Sequence, residues 1–280
     1  MRRATRGALV GSTFAGVALA LVVPAPGAGA TAGASVGGVA VSGAAVSTTP
    51  ASAPARAAAA PRPAVVERVV IGHSRRGRPI LAFRLGDPEA TRSAVVIAAM
   101  HGDERKPQVI LRNLRDGRPI TGLDLWVIPS ANPDGVARKA RRNARGVDLN
   151  RNFPRKWKRS KRGLTWSGPS AASEPETKAM MRFLRRVQPD QVVSFHQPLY
   201  GIDTSGTGNR PLARRLAKHL KLPKKTFSCG SGCYGTMSQW FNYRLDGQLV
   251  TVELGRRPSR AYLTRTAPRG LLKALGGTRP

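Results

Sequence analysis

Ala94-Val-Val-Ile-Ala-Ala-Met-His101-Gly-Asp-Glu104 is the stretch on which the fold turns. Residues 94–100 are apolar without interruption and carry several β-branched side chains. Such a run reads as a central strand buried on both faces. It ends in a histidine, and a glutamate follows three residues later. Where a strand ends and the chain turns, groups at i and i+3 can reach one metal ion. A second histidine, His196, follows another β-like run at 191–195. Two imidazoles and a carboxylate make a known kind of catalytic zinc site, with the fourth position left for water.

Outward from this strand, 65–71 and 78–85 read as an opening hairpin. A helix over 106–114 and a second central strand over 123–129 follow. Asn132-Pro-Asp-Gly135 is a turn signal. Residues 137–170, dense in Arg, Gly and Asn, read as a long active-site loop. Ser173-Glu-Pro-Glu-Thr starts a helix: Ser173 can cap it, Pro175 suits its first turn, and the acids sit near its positive end. That helix runs to about 187 with Ala179, Met180, Phe183 and Leu184 inward. Then come a strand at 191–195, an amphipathic helix at 211–220, a short helix at 235–242, a strand at 249–254 and a last helix at 259–275. Strands alternating with helices predict an α/β sandwich with a largely buried mixed sheet. Functional residues at strand ends are what open sheets of this class show.

The first residues have a different character. Arg2, Arg3 and Arg6 precede an apolar run over 8–23, and Ala28-Gly29-Ala30 is a small-x-small cleavage site. This predicts a secretory signal peptide over 1–30. The run is shorter than a membrane span needs and is diluted by Gly11, Ser12 and Gly16, so no transmembrane span is expected after cleavage. Residues 31–63 are Ala, Ser, Thr, Gly, Val and Pro with almost no charge. They read as a disordered spacer that cannot bury enough apolar surface to fold. The remainder, 64–280, suits one catalytic domain. Export predicts a secreted or wall-associated protein.

The net charge is +32. Charge of this size attracts anionic partners. For an exported protein an anionic envelope polymer fits better than nucleic acid, and the basic cluster at 138–162 matches no nucleic-acid module. A compositional bias toward Arg, Ala, Gly and Pro is the competing explanation. The two cysteines, Cys229 and Cys233, are close enough for a small disulfide that shapes a Gly-Ser-Gly loop. Free thiols and an accessory metal pair are the other readings, and the second has no further Cys to complete it.

Further chemistry lies in Asn143-Ala-Arg-Gly-Val-Asp-Leu-Asn-Arg-Asn-Phe-Pro154 and in Val250-Thr-Val-Glu253-Leu. A carboxylate in so apolar a strand needs a reason. One reading is an ion pair with one of the many arginines. The other is a general base that takes a proton from an activated water and gives it to the leaving amine. His73 and His219 have no such context and read as structural.

His101-x-x-Glu104, Asn132-Pro-Asp-Gly135, Asp148-x-Asn150-Arg151-Asn-Phe, His196 and Glu253 stand in the order of the zinc carboxypeptidases, and the resemblance to that carboxypeptidase A-like family spans about 66–275. The Asn143–Pro154 motif, Gly168-Pro-Ser-x-x-Ser-Glu-Pro-Glu-Thr177 and His196-Gln-Pro-Leu resemble its bacterial murein-peptide amidase branch. The resemblance implies a three-layer α/β/α sandwich on a mixed sheet of about eight strands. It implies one Zn2+ per chain on His101, Glu104 and His196, with Glu253 as the base. It implies that Arg141 polarises the scissile carbonyl, with Arg142 a one-residue alternative. Asn150 and Arg151 would hold the substrate's free carboxylate, a task that suits a planar guanidinium. The branch cuts the γ-D-glutamyl–diaminopimelate bond of cell-wall peptides, and Asp203 is a candidate partner for the diaminopimelate amine.

One departure concerns a tyrosine. The digestive members carry a mobile one before a Gly-rich turn. Here the region reads Cys229-Gly-Ser-Gly-Cys-Tyr234-Gly-Thr-Met-Ser-Gln-Trp240, and Tyr234 is not at the matching offset. Two other readings remain at this point: a general metallocarboxypeptidase acting on ordinary peptides, and an inactive basic protein that holds wall polymers by charge.

Overall fold

The computed structural model describes residues 63–205, 211–227 and 233–279. The expected signal peptide and all of the expected spacer except Pro63 lie outside the described residues. No described helix is long and apolar enough to cross a membrane.

The chain opens with β1 (Val65–His73) and β2 (Pro79–Gly86), the predicted hairpin. β3 (Ser93–Ile97) leads into the His101 loop. Next come α1 (Pro107–Arg115), β4 (Asp124–Ile128) and α2 (Pro133–Arg138). A single 3₁₀ turn, Leu149–Arg151, interrupts the long loop before α3 (Pro175–Val187). β5 (Gln191–His196), β6 (Leu199–Asp203), α4 (Pro211–Leu220), β7 (Lys224–Lys225), α5 (Met237–Arg244) and β8 (Gln248–Gly255) follow. A π-helical turn, Tyr262–Thr266, runs into α6 (Ala267–Leu275).

The eight strands form one sheet in the order β1-β2-β4-β3-β5-β8-β6-β7. The centre, β4-β3-β5-β8, is parallel. β2 joins β4, and β6 joins β8, in antiparallel fashion. The sheet is therefore mixed, as expected. Alternation along β3 feeds two cores. Ala94 and Val96 pack with Leu111, Leu216 and Leu271 of α1, α4 and α6. Val95 and Ile97 pack with Phe183 of α3 and Trp240 of α5. Three layers result, with the central strands buried on both sides.

Three local expectations need correction. Asn132-Pro-Asp-Gly is not an isolated turn but the start of α2: the Asn132 side chain accepts a hydrogen bond from Gly135 N, and Pro133 occupies the first turn. The cap of α3 is Glu174 rather than Ser173, whose hydroxyl instead donates to Glu174 Oε1. The last helix is not uniform. Pro268 cannot donate to the carbonyl of Thr264, and the wider π turn stands just before it.

Candidate active site

β3 does not run straight into His101. Ala99 adopts a left-handed conformation, φ 51°, which few non-glycine residues take up. Hydrogen bonds hold it there. Asn132 N donates to Ala99 O, and Ala131 N to Ala98 O, both at 3.0 Å. The fully buried Asn132 side chain also donates to Met100 O and Arg141 O. One asparagine thus ties the His101 loop to the Arg141 loop. Gly102 lies at their crossing, where a Cβ would overlap the carbonyl group of Gly135.

The loop brings the three predicted metal ligands together. His101 Nδ1 is 2.7 Å from Glu104 Oε1. His196 Nδ1 is 2.9 Å from Glu104 Oε2 and 3.2 Å from His101 Nδ1. All three side chains are buried. Two zinc-bound nitrogens at ~2.0–2.1 Å in a tetrahedral arrangement stand ~3.3 Å apart, so this donor set fits the ion in type and spacing.

The outward nitrogens are held as well. Asp148 Oδ1 lies 3.1 Å from His101 Nε2, and Ser194 Oγ lies 3.1 Å from His196 Nε2. Such partners fix the ring that a metal ligand presents. The charges show what the site is built to hold. Burial works against a charge on His101, but Asp148 and Glu104 outweigh it and push its pKa up to about 9. Burial also works against ionised Glu104, yet His196 and His101 hold that carboxyl far below its usual range. Asp148 is held down likewise, chiefly by His101 and Arg141 against its own burial. The cluster stabilises positive charge at its centre.

Glu253 pairs with His196 across the parallel β5–β8 ladder. Both side chains reach the same cleft, of about 770 Å³. Among the described residues Glu253 makes no ion pair with arginine, so the structural alternative for this carboxylate is not met. Among the described residues its side chain accepts one hydrogen bond, from Leu199 N to Oε2 at 3.3 Å. Burial raises its pKa, Glu104 adds to the rise, and His196 opposes it.

Arg141, Asn150, Arg151 and Asp203 line this cleft too, so every predicted site residue is in one place. Arg141 grips Asp148 Oδ2 through Nη2 at 2.8 Å and Nε at 3.1 Å. Its Nη1 lies 3.6 Å from Glu104. Its neighbour Arg142 instead donates to Gly163 O and does not line the cleft. Asn150 Oδ1 accepts from Met237 N, and Arg151 Nη1 donates to Asn150 O. Asp203 Oδ1 accepts from Ser205 N.

Sequence reasoning missed three residues. Asp148 lay inside a quoted motif without a role of its own; its place in Val-Asp-Leu, an acid between apolar neighbours, was the available signal. Tyr243, not Tyr234, lines the cleft. Arg155 lines it as well and stacks on Tyr243, its Cζ 3.7 Å from the ring centre. Nothing in the local sequence marks either. Cys233 is disulfide-bonded, while Cys229 lies outside the described residues.

The family model for zinc carboxypeptidase matches residues 52–199. The chain belongs to the zinc carboxypeptidase family. Murein peptide amidase A of Escherichia coli strain K12 is 36% identical over 184 residues, covering 60% of this chain and 74% of that protein. The Vibrio campbellii protein of the same name is 33% identical over 208 residues, covering 69% and 80%. The crystal structure of a murein-tripeptide amidase from Escherichia coli O157 superposes with a TM-score of 0.65 at 32% identity, covering 76% of this chain and 92% of that one. Carboxypeptidase A of Helicoverpa armigera shares the fold, with a TM-score of 0.63 at 19% identity and coverage of 76% and 68%. This member of the zinc carboxypeptidase family is a hydrolytic, zinc-dependent metallopeptidase.

Proposed function

We propose that this metallopeptidase is exported and hydrolyses the γ-D-glutamyl–diaminopimelate amide bond of cell-wall peptides. The observation that carries the reading is one cleft that holds a His-Glu-His cluster, the half-buried carboxylate of Glu253 and three arginines, in a chain similar to murein peptide amidases. The signal-like residues 1–30 support export.

Zinc bound by His101, Glu104 and His196 would supply Lewis acidity toward a water and the scissile carbonyl. Glu253 takes the proton of the attacking water and returns it to the leaving amine; its raised pKa suits a group that must do both. Arg141, set by Asp148, donates to the carbonyl oxygen as negative charge develops there. Arg151, with Asn150, holds the α-carboxylate of the residue released. Asp203 accepts the distal ammonium of diaminopimelate.

Cleavage of L-Ala-γ-D-Glu-diaminopimelate is compared with that of ordinary peptides ending in Phe, Leu or Lys. A clear kcat/KM advantage for the wall peptide is expected. A preference for the ordinary peptides would instead assign a general metallocarboxypeptidase. Amidating the terminal carboxylate should abolish cleavage, and undiminished cleavage would remove the roles given to Asn150 and Arg151.

A further inference from the structure

A second cavity among the described residues lies apart from the catalytic cleft. It is a groove of about 920 Å³ between α4, α6 and the end of α1, and it shares no lining residue with that cleft. Lys and Arg make up seven of the sixteen residues that line this groove, and no acid lines it.

Two rows of cations face the groove. Arg265, Arg269 and Lys273 recur every fourth residue along the π turn and α6. Lys218 and Lys221 stand at the end of α4. All five are exposed, and among the described residues none forms an ion pair. Lys218 and Lys273 sit in last turns of helices, where a cation is favourable. Arg265 and Arg269 have no such reason to be there, and like charges this close repel.

We infer that this groove binds a linear phosphodiester polymer built on a polyol. Helical positions four apart stand ~6 Å apart along the axis, which matches a chain with one phosphate per short backbone unit rather than a single small anion. Polymers that carry bases are held on aromatic platforms, and no Phe, Tyr or Trp lines this groove. The site would hold the enzyme against a phosphate-rich polymer while the catalytic cleft remains open to peptide.

The test uses the zinc-loaded full chain and poly(glycerol phosphate) as probe. A triple variant, Arg265→Gln with Arg269→Gln and Lys273→Gln, is compared with Arg68→Gln, Lys178→Gln and Arg186→Gln, which removes three exposed cations elsewhere. Peptide hydrolysis should be unchanged in both and reports that each has folded. The groove variant should bind the probe at least about tenfold more weakly, with a salt dependence of log K lower by about two, and the scattered variant should bind nearly as wild type. Equal weakening in both variants would show charge without a site and overturn the inference. Single-stranded DNA of equal phosphate number binding about tenfold tighter than the probe would overturn the choice of polymer. Because the readout is polymer binding, failure here leaves the peptide reading intact, and the reverse also holds.

Discussion

Asp148 holds His101 with one carboxylate oxygen and Arg141 with the other, at 3.1 and 2.8 Å. One buried side chain therefore orients a metal ligand and a cleft-lining guanidinium together. Asp148→Asn keeps the shape but removes the charge. Zinc affinity, measured by competition with a chelator, should fall by about 10–100-fold, the usual scale for such a partner. kcat should fall in the same variant with little change in KM, because Arg141 loses its anchor and its donation to the developing oxyanion weakens. An unchanged zinc affinity would show that His101 is oriented by packing alone.

Glu253→Gln separates binding from chemistry. The amide keeps the size of the carboxylate but cannot accept a proton. Zinc content should stay near one per chain while turnover drops by at least about 10²-fold. In the wild type the base must be ionised, so kcat/KM should fall as pH falls through the pKa of Glu253. Burial places that value above the ordinary carboxylate range, and the charge of bound zinc acts in the opposite sense. The variant should lose this acid limb. Near wild-type turnover would mean that another group acts as the base.

Gly102 tests the crossing of the two loops. Alanine there would put its Cβ into the carbonyl group of Gly135 and force the loops apart. Overpacking of this kind costs about 1–3 kcal/mol. Both the thermal midpoint and zinc occupancy of Gly102→Ala should drop. Retention of both would show that the crossing yields easily.

Tyr262 offers a pH signature from a residue that does not line the cleft. Its hydroxyl donates to Leu220 O at 2.8 Å, and burial, helped by Tyr200, raises its pKa from 10.0 to about 12. The folded state thus favours the neutral phenol. The resulting stability is fully present below pH 10 and is lost as pH rises toward about 12. Denaturant unfolding across this range should show the decline in wild type and a shallower one in Tyr262→Phe. Equal slopes would place the alkaline loss elsewhere.

Much of this was legible in the sequence because each signal was local. The continuous apolar run before His101 specified a doubly buried strand, and a carboxylate amid Val, Thr and Leu specified Glu253. What stayed hidden was set by tertiary contact. β6 is five residues long with a central glycine, and β7 is two lysines that become a strand only by pairing with β6. Ser173 has the chemistry of a helix cap, but its hydroxyl was drawn to Glu174. Tyr243 enters the cleft because α5 ends beside Arg155, which no short-range pattern records.

The pairing of His196 with Glu253 on adjacent parallel strands has a consequence for control of the enzyme. The two residues share the last rung of the β5–β8 ladder, inside an eight-stranded sheet, so their backbones can part only by opening that ladder from its end. The backbone that can shift around the cleft is instead that of the loops carrying Arg141, Asn150 and Arg151, which no strand pairing holds.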